Sequence, residues 1–161
     1  RCKKHMNMRA ISPVIATVII VSVAIAIAVA VAFWMTGITG LFTRYEKLEM
    51  VSAYATAKAE GEWTVTLIVR NTGTTDVTID NIFINGIPYA TLVNDNAFSN
   101  LKVNGGTVSG TLSVALKPGE SKTITFDLTS GDTYKFTSGQ VVEVKLHTAA
   151  GNEYPKSVQL P

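Results

Sequence analysis

The stretch from Val14 to Met35 constrains this chain more than any other part of its 161 residues. Only Thr17 and Ser22 interrupt its apolar run, and no charged residue occurs between Arg9 and Arg44. As an α-helix the stretch would be about 33 Å long, close to the thickness of the hydrocarbon core of a bilayer. A helix that is apolar on every side has no face for water. It must therefore be enclosed by lipid or by other protein.

The flanking residues predict where this helix begins and ends. Ser12 followed by Pro13 is a favourable helix start, since a hydroxyl can cap the helix and proline needs no amide at its first position. Between Val23 and Ala32 β-branched residues alternate with alanine, but the run is too long for a typical strand. Good helix formers continue from Arg44 to Leu48. The sequence predicts one helix from about Pro13 to the mid-forties.

Charge is distributed unevenly along the chain. Four of the fourteen basic residues lie in the first ten positions, whereas all twelve acidic residues follow residue 43. A basic flank before a hydrophobic span predicts a cytoplasmic N-terminus and an exported C-terminal part. The only cysteine is Cys2, so no disulfide can form within the C-terminal part. That part must be stabilised by packing.

From Leu48 onwards the apolar residues follow a period of two, which is typical of strands. Asn85-Gly86 and Asn104-Gly105-Gly106 predict hairpins, and the pattern indicates eight to ten short strands with no helix between them. The predicted architecture is an antiparallel sandwich or barrel. The predicted segments include a strand at Trp63 to Val69, one at Val77 to Ile84, a return strand at Ile87 to Leu92, an irregular stretch at Val93 to Asn100, and a strand at Thr107 to Leu116.

Residues that could carry chemistry are few and scattered. His147 has no cysteine or second histidine near it in sequence, which argues against the usual zinc sites. Asn94-Asp95-Asn96 begins like a calcium loop but lacks the later glycine and glutamate, so a polar loop is the better interpretation. No nucleophile elbow, phosphate-binding loop or basic patch occurs. We therefore predict no catalytic, metal or cofactor site and no nucleic-acid binding.

The run Arg9-Ala10-Ile11-Ser12-Pro13-Val14-Ile15-Ala16, followed by a helix of alanine, valine and isoleucine, resembles the N-terminus of archaeal type IV pilins. The resemblance covers roughly residues 9–45. It implies a leader at residues 1–10, cleaved between Ala10 and Ile11 by a prepilin peptidase, a helix at 11–47, and an immunoglobulin-like β domain at 48–161. The expected fold class is thus α+β, with a long hydrophobic helix followed by an antiparallel β-sandwich.

The resemblance also implies a function. The chain would be the structural subunit of an extracellular adhesion pilus, inserted in the membrane until an assembly ATPase and a membrane platform protein move it into a homopolymeric filament. The alternatives are an archaellin of the rotary swimming filament and a membrane-anchored monomeric surface protein that binds a ligand. The residues expected to pack the helices in the polymer are Val14, Ile15, Val18, Ile19, Val23, Ala24, Ile27, Ala28, Val31, Phe33 and Trp34.

Overall fold

The computed structural model describes residues 13–161, which divide into two compact units between Thr43 and Arg44. The first unit contains the helix α1, Pro13–Phe42. The helix ends at Phe42, short of the predicted mid-forties, because Tyr45 and Lys47 are hydrogen-bonded to a turn of the β domain instead. The predicted leader and the cleavage site at Ala10 and Ile11 lie outside the described residues.

The second unit is built from ten strands and one short helix. The elements are β1 Leu48–Ala59, β2 Glu62–Asn71, β3 Val77–Ile84, β4 Ile87–Pro88, α2 Tyr89–Asn94, β5 Phe98–Val103, β6 Gly106–Thr107, β7 Val114–Leu116, β8 Ser121–Thr129, β9 Val141–Thr148 and β10 Glu153–Gln159. The strands form two sheets that are antiparallel throughout, with orders β1-β2-β8-β5-β6 and β10-β9-β3-β4, and β7 also pairs with β3.

One core lies between the two sheets, and both sheets contribute alternate residues to it. The period-two pattern of the sequence sends these side chains to the same face of each strand. Among the inward residues are Trp63, Val65, Leu67, Ile79, Ile84, Ile124, Phe126, Val142, Val144 and Leu146, all of them buried. The prediction of a long apolar helix followed by an antiparallel β-sandwich is confirmed.

The predicted return strand at Ile87 to Leu92 is wrong, and so is the prediction of no helix between strands. Strand β4 stops at Pro88, which has no amide to extend the ladder. The chain then forms α2, which carries Leu92 into the core with no exposed surface. Tyr89 packs at the edge of that core, three residues away on the same helix face. Burial of this face outweighs the strand-like pattern.

The predicted strand at Thr107 to Leu116 is also wrong, because it is split into β6 and β7. Gly110, with φ of 88°, lies in the break, a conformation that glycine adopts readily.

The hairpin turns are as predicted. Asn85 and Gly86 have φ of 50° and 81°, and Asn104 and Gly105 have the same two values, which is the conformation of a type I′ turn.

Candidate functional site

The whole surface of α1 is apolar and uncovered in the single chain. None of its 30 residues is buried. The eleven residues predicted to pack the polymer, from Val14 to Trp34, all lie on this helix and all are exposed. Together with the rest of the helix they form what we call the α1 surface, Pro13–Phe42. Exposed apolar surface of this extent marks an interaction site rather than a water-facing helix.

The few hydroxyl groups of α1 do not make this surface polar. Thr17 Oγ1 donates to the Val14 carbonyl oxygen at 2.8 Å, and Ser22 Oγ donates to the Val18 carbonyl oxygen at 2.7 Å. Thr36 Oγ1 bonds in the same way to the carbonyl oxygen of Ala32 at 2.9 Å. Because each donor is satisfied within the helix, the α1 surface can enter a medium without water and leave none of these protons unpaired.

The dimensions of α1 allow it to cross a membrane. The helix is apolar along its length, carries no charged residue and has no buried residue. Thirty residues span about 45 Å, which exceeds the hydrocarbon core of a bilayer. Length and composition therefore permit a single span, although a signal sequence near an N-terminus has similar properties.

Side-chain size varies along α1 in a way that suits packing between helices. Alanine occupies every second position from Ala24 to Ala32, which places Ala24, Ala28 and Ala32 four residues apart along one side of the helix. Large side chains follow, and those of Trp34 and Phe42 are 66% and 81% exposed. Small residues let helix backbones approach closely, as they do at helix interfaces in membranes. The middle of α1 can thus pack closely against a neighbouring helix.

The residues that follow α1 are fixed to the β domain by a backbone clamp, formed by Tyr45 to Lys47 and the turn Asn71 to Thr74. The amides of Thr72 and Gly73 donate to the Lys47 carbonyl oxygen at 2.9 and 3.1 Å, and the Thr74 amide donates to the Tyr45 carbonyl oxygen at 3.0 Å. These bonds hold Tyr45 to Lys47, which lie outside any helix or strand. They explain why good helix formers here do not continue the helix.

Two side-chain contacts secure the same segment. Thr148 Oγ1 donates to Glu46 Oε1 at 2.6 Å. Asn71 is fully buried, and its amide group donates to the carbonyl oxygens of Thr75 at 2.8 Å and Leu116 at 3.0 Å. A buried amide satisfied in this way fixes the shape of the turn that receives the segment. The start of the β domain is therefore held by hydrogen bonds from Tyr45 onwards.

A polar cluster lies on the β1-β2-β8-β5 sheet around Asp127, which is 5% exposed. Its carboxylate accepts hydrogen bonds from Thr64 Oγ1 at 2.6 Å, Asn100 Nδ2 at 2.8 Å and Lys58 Nζ at 2.8 Å. Lys58 Nζ also lies 2.7 Å from Glu62 Oε1. No buried nitrogen or oxygen atom of these side chains lacks a hydrogen-bond partner, which is the pattern of a structural ion pair rather than of a reactive group.

The pKa values in this cluster follow from the contacts. Burial raises the pKa of the Asp127 carboxyl, but the hydrogen bonds from Lys58, Thr64 and Asn100 outweigh it, and the net pKa lies below the usual value. Hydrogen bonds to Asp127 and Glu62 raise the pKa of Lys58 to about 12. Both groups are thus charged at neutral pH, and neither is prepared for proton transfer.

Sequence reasoning missed the partners of these groups. Asp127 and Lys58 are 69 positions apart in the sequence. His147 Nδ1 lies 2.6 Å from Asp80 Oδ1, and these two residues are 67 positions apart. Asp95, in the stretch that begins like a calcium loop, directly follows α2 and is exposed. Within residues 13–161 no three histidine, cysteine, aspartate or glutamate side chains come together in a way that could hold a metal ion.

Comparison with known proteins gives only distant structural similarity. No family model and no curated protein matches the chain. An apo PCuAC domain from PmoF1 has a TM-score of 0.49 at 15% identity, over 73% of this chain and 98% of that one. The archaellum periplasmic stator protein FlaG from Sulfolobus acidocaldarius has 0.42 at 21% identity, over 70% of this chain and 99% of its own. The Iho670 flagellar-like filament has 0.33 at 15% identity, over 92% and 98%. Scores and identities this low do not establish a shared function.

Proposed function

We propose that the chain is a structural subunit of a cell-surface filament, and that it polymerises through the α1 surface. One observation carries this proposal: a helix of 30 residues that is apolar on every side and has no buried residue in the single chain. Each valine or isoleucine moved from water into a packed environment contributes about 1.5–3 kcal/mol. A bundle of identical helices would enclose all of these side chains and would not dissociate into water.

The finer identity that we propose is an archaeal type IV pilin used in adhesion. It is supported by the resemblance of the residues around Ser12-Pro13-Val14-Ile15 to that family. On this proposal the helix waits in the membrane, and an assembly ATPase and a platform protein move it into the filament after a prepilin peptidase has acted. On this proposal the chain has a structural role rather than an enzymatic one.

A membrane-anchored monomer is a second candidate, because the length and composition of α1 also permit a single membrane span. The two candidates differ in what surrounds the helix in its final state. In a filament it is other helices, whose spacing depends on small residues in the middle of α1. In a monomer it is lipid only, and the helix would tolerate larger apolar residues there.

The deciding experiment is negative-stain microscopy of material sheared from cells that express the chain. We expect filaments from the parent chain and none from Ala28→Glu, which places an unpaired carboxylate in the middle of α1. Ser138→Glu is the matched control, since it adds the same charge at an exposed position of the β domain. Filaments from Ala28→Glu, or a parent chain found only as single molecules in the membrane, would contradict the proposal.

A further inference from the structure

A cavity of about 360 Å³ lies beside α2. It is lined by residues from α2 to β5 and by residues of the segment between β6 and β7. Sites for small ligands usually have volumes of about 300–1,000 Å³ and combine apolar walls with a few polar groups. A volume near the lower end of this range suits a single small ring better than an extended chain. The cavity thus has the dimensions of a small-ligand site.

The apolar part of this cavity is held in place by the core. Tyr89 and Val93 are four residues apart in α2, so they lie on the same side of the helix. The Tyr89 ring lies 5.8 Å from the ring of Phe98, which is buried and stacks on Phe126 at 4.7 Å. The Leu112 amide donates to Tyr89 Oη at 3.0 Å. These contacts fix the aromatic wall before a ligand arrives, which lowers the entropy cost of binding.

The polar part of the lining is uncharged. It consists of the side chains of Asn96, Ser99 and Asn100, and no charged residue is found among the described residues that line the cavity. Asn100 Nδ2 donates to Asp127 Oδ2 at 2.8 Å, which leaves the side-chain oxygen of Asn100 without a partner in residues 13–161. Amide and hydroxyl groups can both donate and accept hydrogen bonds. The lining therefore offers neutral groups of both kinds.

The two asparagines of this lining have an unusual backbone. All four non-glycine residues with positive φ in the described chain are asparagines, and two of them form the hairpin turns. The other two are Asn96, with φ of 56°, and Asn100, with φ of 52°, and both line the cavity. Asn100 lies where the β5-β8 ladder shifts its register between Ser99 and Lys102. Such bulges redirect side chains and are frequent next to binding sites.

We propose that this cavity binds one ring of a neutral saccharide. An ionised ligand would lose its hydration and gain no opposite charge from the lining. A wholly apolar ligand would displace water from the asparagine side chains and leave them unpaired. A sugar ring avoids both costs, because its hydroxyl groups pair with Asn96, Ser99 and Asn100 while its C–H groups pack against Tyr89 and Val93.

This inference deepens the proposed function, because it names the kind of ligand that an adhesion filament would hold. It rests on the proposed function only for the place where the sugar is bound, on the surface of a filament. The binding itself requires the cavity alone, so it can be measured on filaments and on the solubilised full-length chain.

Saturation-transfer difference NMR of the full-length chain tests the ligand class, in filaments or in a detergent without a sugar headgroup. The probes are glucose, galactose, mannose and N-acetylglucosamine at millimolar concentration, with glucuronic acid as the anionic counterpart of glucose. We expect transfer to the ring protons of at least one neutral sugar and none to glucuronic acid. Absence of transfer to all four neutral sugars, or equal transfer to glucuronic acid, would overturn the proposal.

Two variants test the location. Val93→Lys places a charge at the cavity and should abolish binding, whereas Val141→Lys is the matched control, since Val141 is also an exposed valine but lies on β9. Asn96→Gly keeps the positive φ, removes the amide and should weaken binding about fivefold to tenfold. Binding equal to the parent chain's in Val93→Lys or Asn96→Gly, or equal loss in Val141→Lys, would overturn the site.

The two proposals fail separately. If the parent chain makes no filaments, the proposed function fails, and the sugar measurement on the detergent-solubilised chain still decides the site. If filaments form but take up none of the four neutral sugars, the proposed function stands and this inference fails.

Discussion

Gly73 lies directly against the backbone of Lys47. The Gly73 amide donates to the Lys47 carbonyl oxygen at 3.1 Å, and a Cβ added at Gly73 would lie 2.6 Å from the Lys47 nitrogen and 2.6 Å from the Tyr45 carbonyl oxygen. Neither neighbour is a flexible side chain that could move aside. Glycine at this turn is therefore required by the close approach of the segment that leads into β1.

Gly73→Ala should destabilise the β domain by about 1–3 kcal/mol, the usual effect of forcing extra atoms into a packed site. The measurement is urea unfolding of the fragment 44–161, followed by fluorescence of Trp63. Gly131→Ala is the control, since an added Cβ there meets nothing within 4 Å, and it should change the free energy of unfolding by less than about 0.5 kcal/mol. Equal stability of the two variants would show that the clamp can move.

The β domain should fold without α1, because its core is formed within residues 48–161. We expect the fragment 44–161 to be a folded protein with a cooperative melt and a β-type circular dichroism spectrum. A fragment that begins at Glu49 should be less stable, since it lacks the backbone clamp and Leu48, which is buried. A higher melting temperature for the shorter fragment would contradict this assignment of the clamp.

Acid should weaken the β domain through Asp127. The pKa of Asp127 is lowered in the folded state from an ordinary value of 3.8. The stability that its ionised carboxylate adds to the fold is therefore complete above that value and is lost as the pH falls through the lower folded pKa. Asp127→Asn should lower the free energy of unfolding at neutral pH by about 2 kcal/mol, because charged hydrogen bonds are lost. The measurement is urea unfolding of both proteins between about pH 6 and pH 2. The difference between them should shrink in acid, and a constant difference would be inconsistent with this role.

Processing should remove the basic leader if the family resemblance holds. We expect mass spectrometry of sheared filaments to show a chain that begins at Ile11. Without cleavage, Arg1, Lys3, Lys4 and Arg9 would enter a helix bundle of low dielectric, where like charges repel and lose hydration. Ala10→Leu should block cleavage of the same chain. Filaments whose subunits retain residues before Ile11 would refute the processing site.

Much of the fold could be predicted because it depends on local patterns. Because no charged residue occurs between Arg9 and Arg44, the helix is apolar on every side and must be enclosed by lipid or by other protein. The alternation Trp63, Val65, Leu67 separates a buried face from an outer one whatever the strand pairs with. Asn85-Gly86 specifies its turn because both residues tolerate positive φ. Each of these features acts within a few residues.

The tertiary structure decided what depends on distant partners. Arg44 to Leu48 has good helix formers, yet the helix ends at Phe42 because backbone groups of the turn at Asn71 to Thr74 bind the segment instead. The pattern of Ile87 to Leu92 predicts a strand, yet α2 forms there and buries Leu92 in the core. Lys58 meets Asp127 only once the three strands β1, β2 and β8 are aligned side by side. Local pattern fixes which face of an element is apolar, whereas the position of its partner is a property of the assembled sheets.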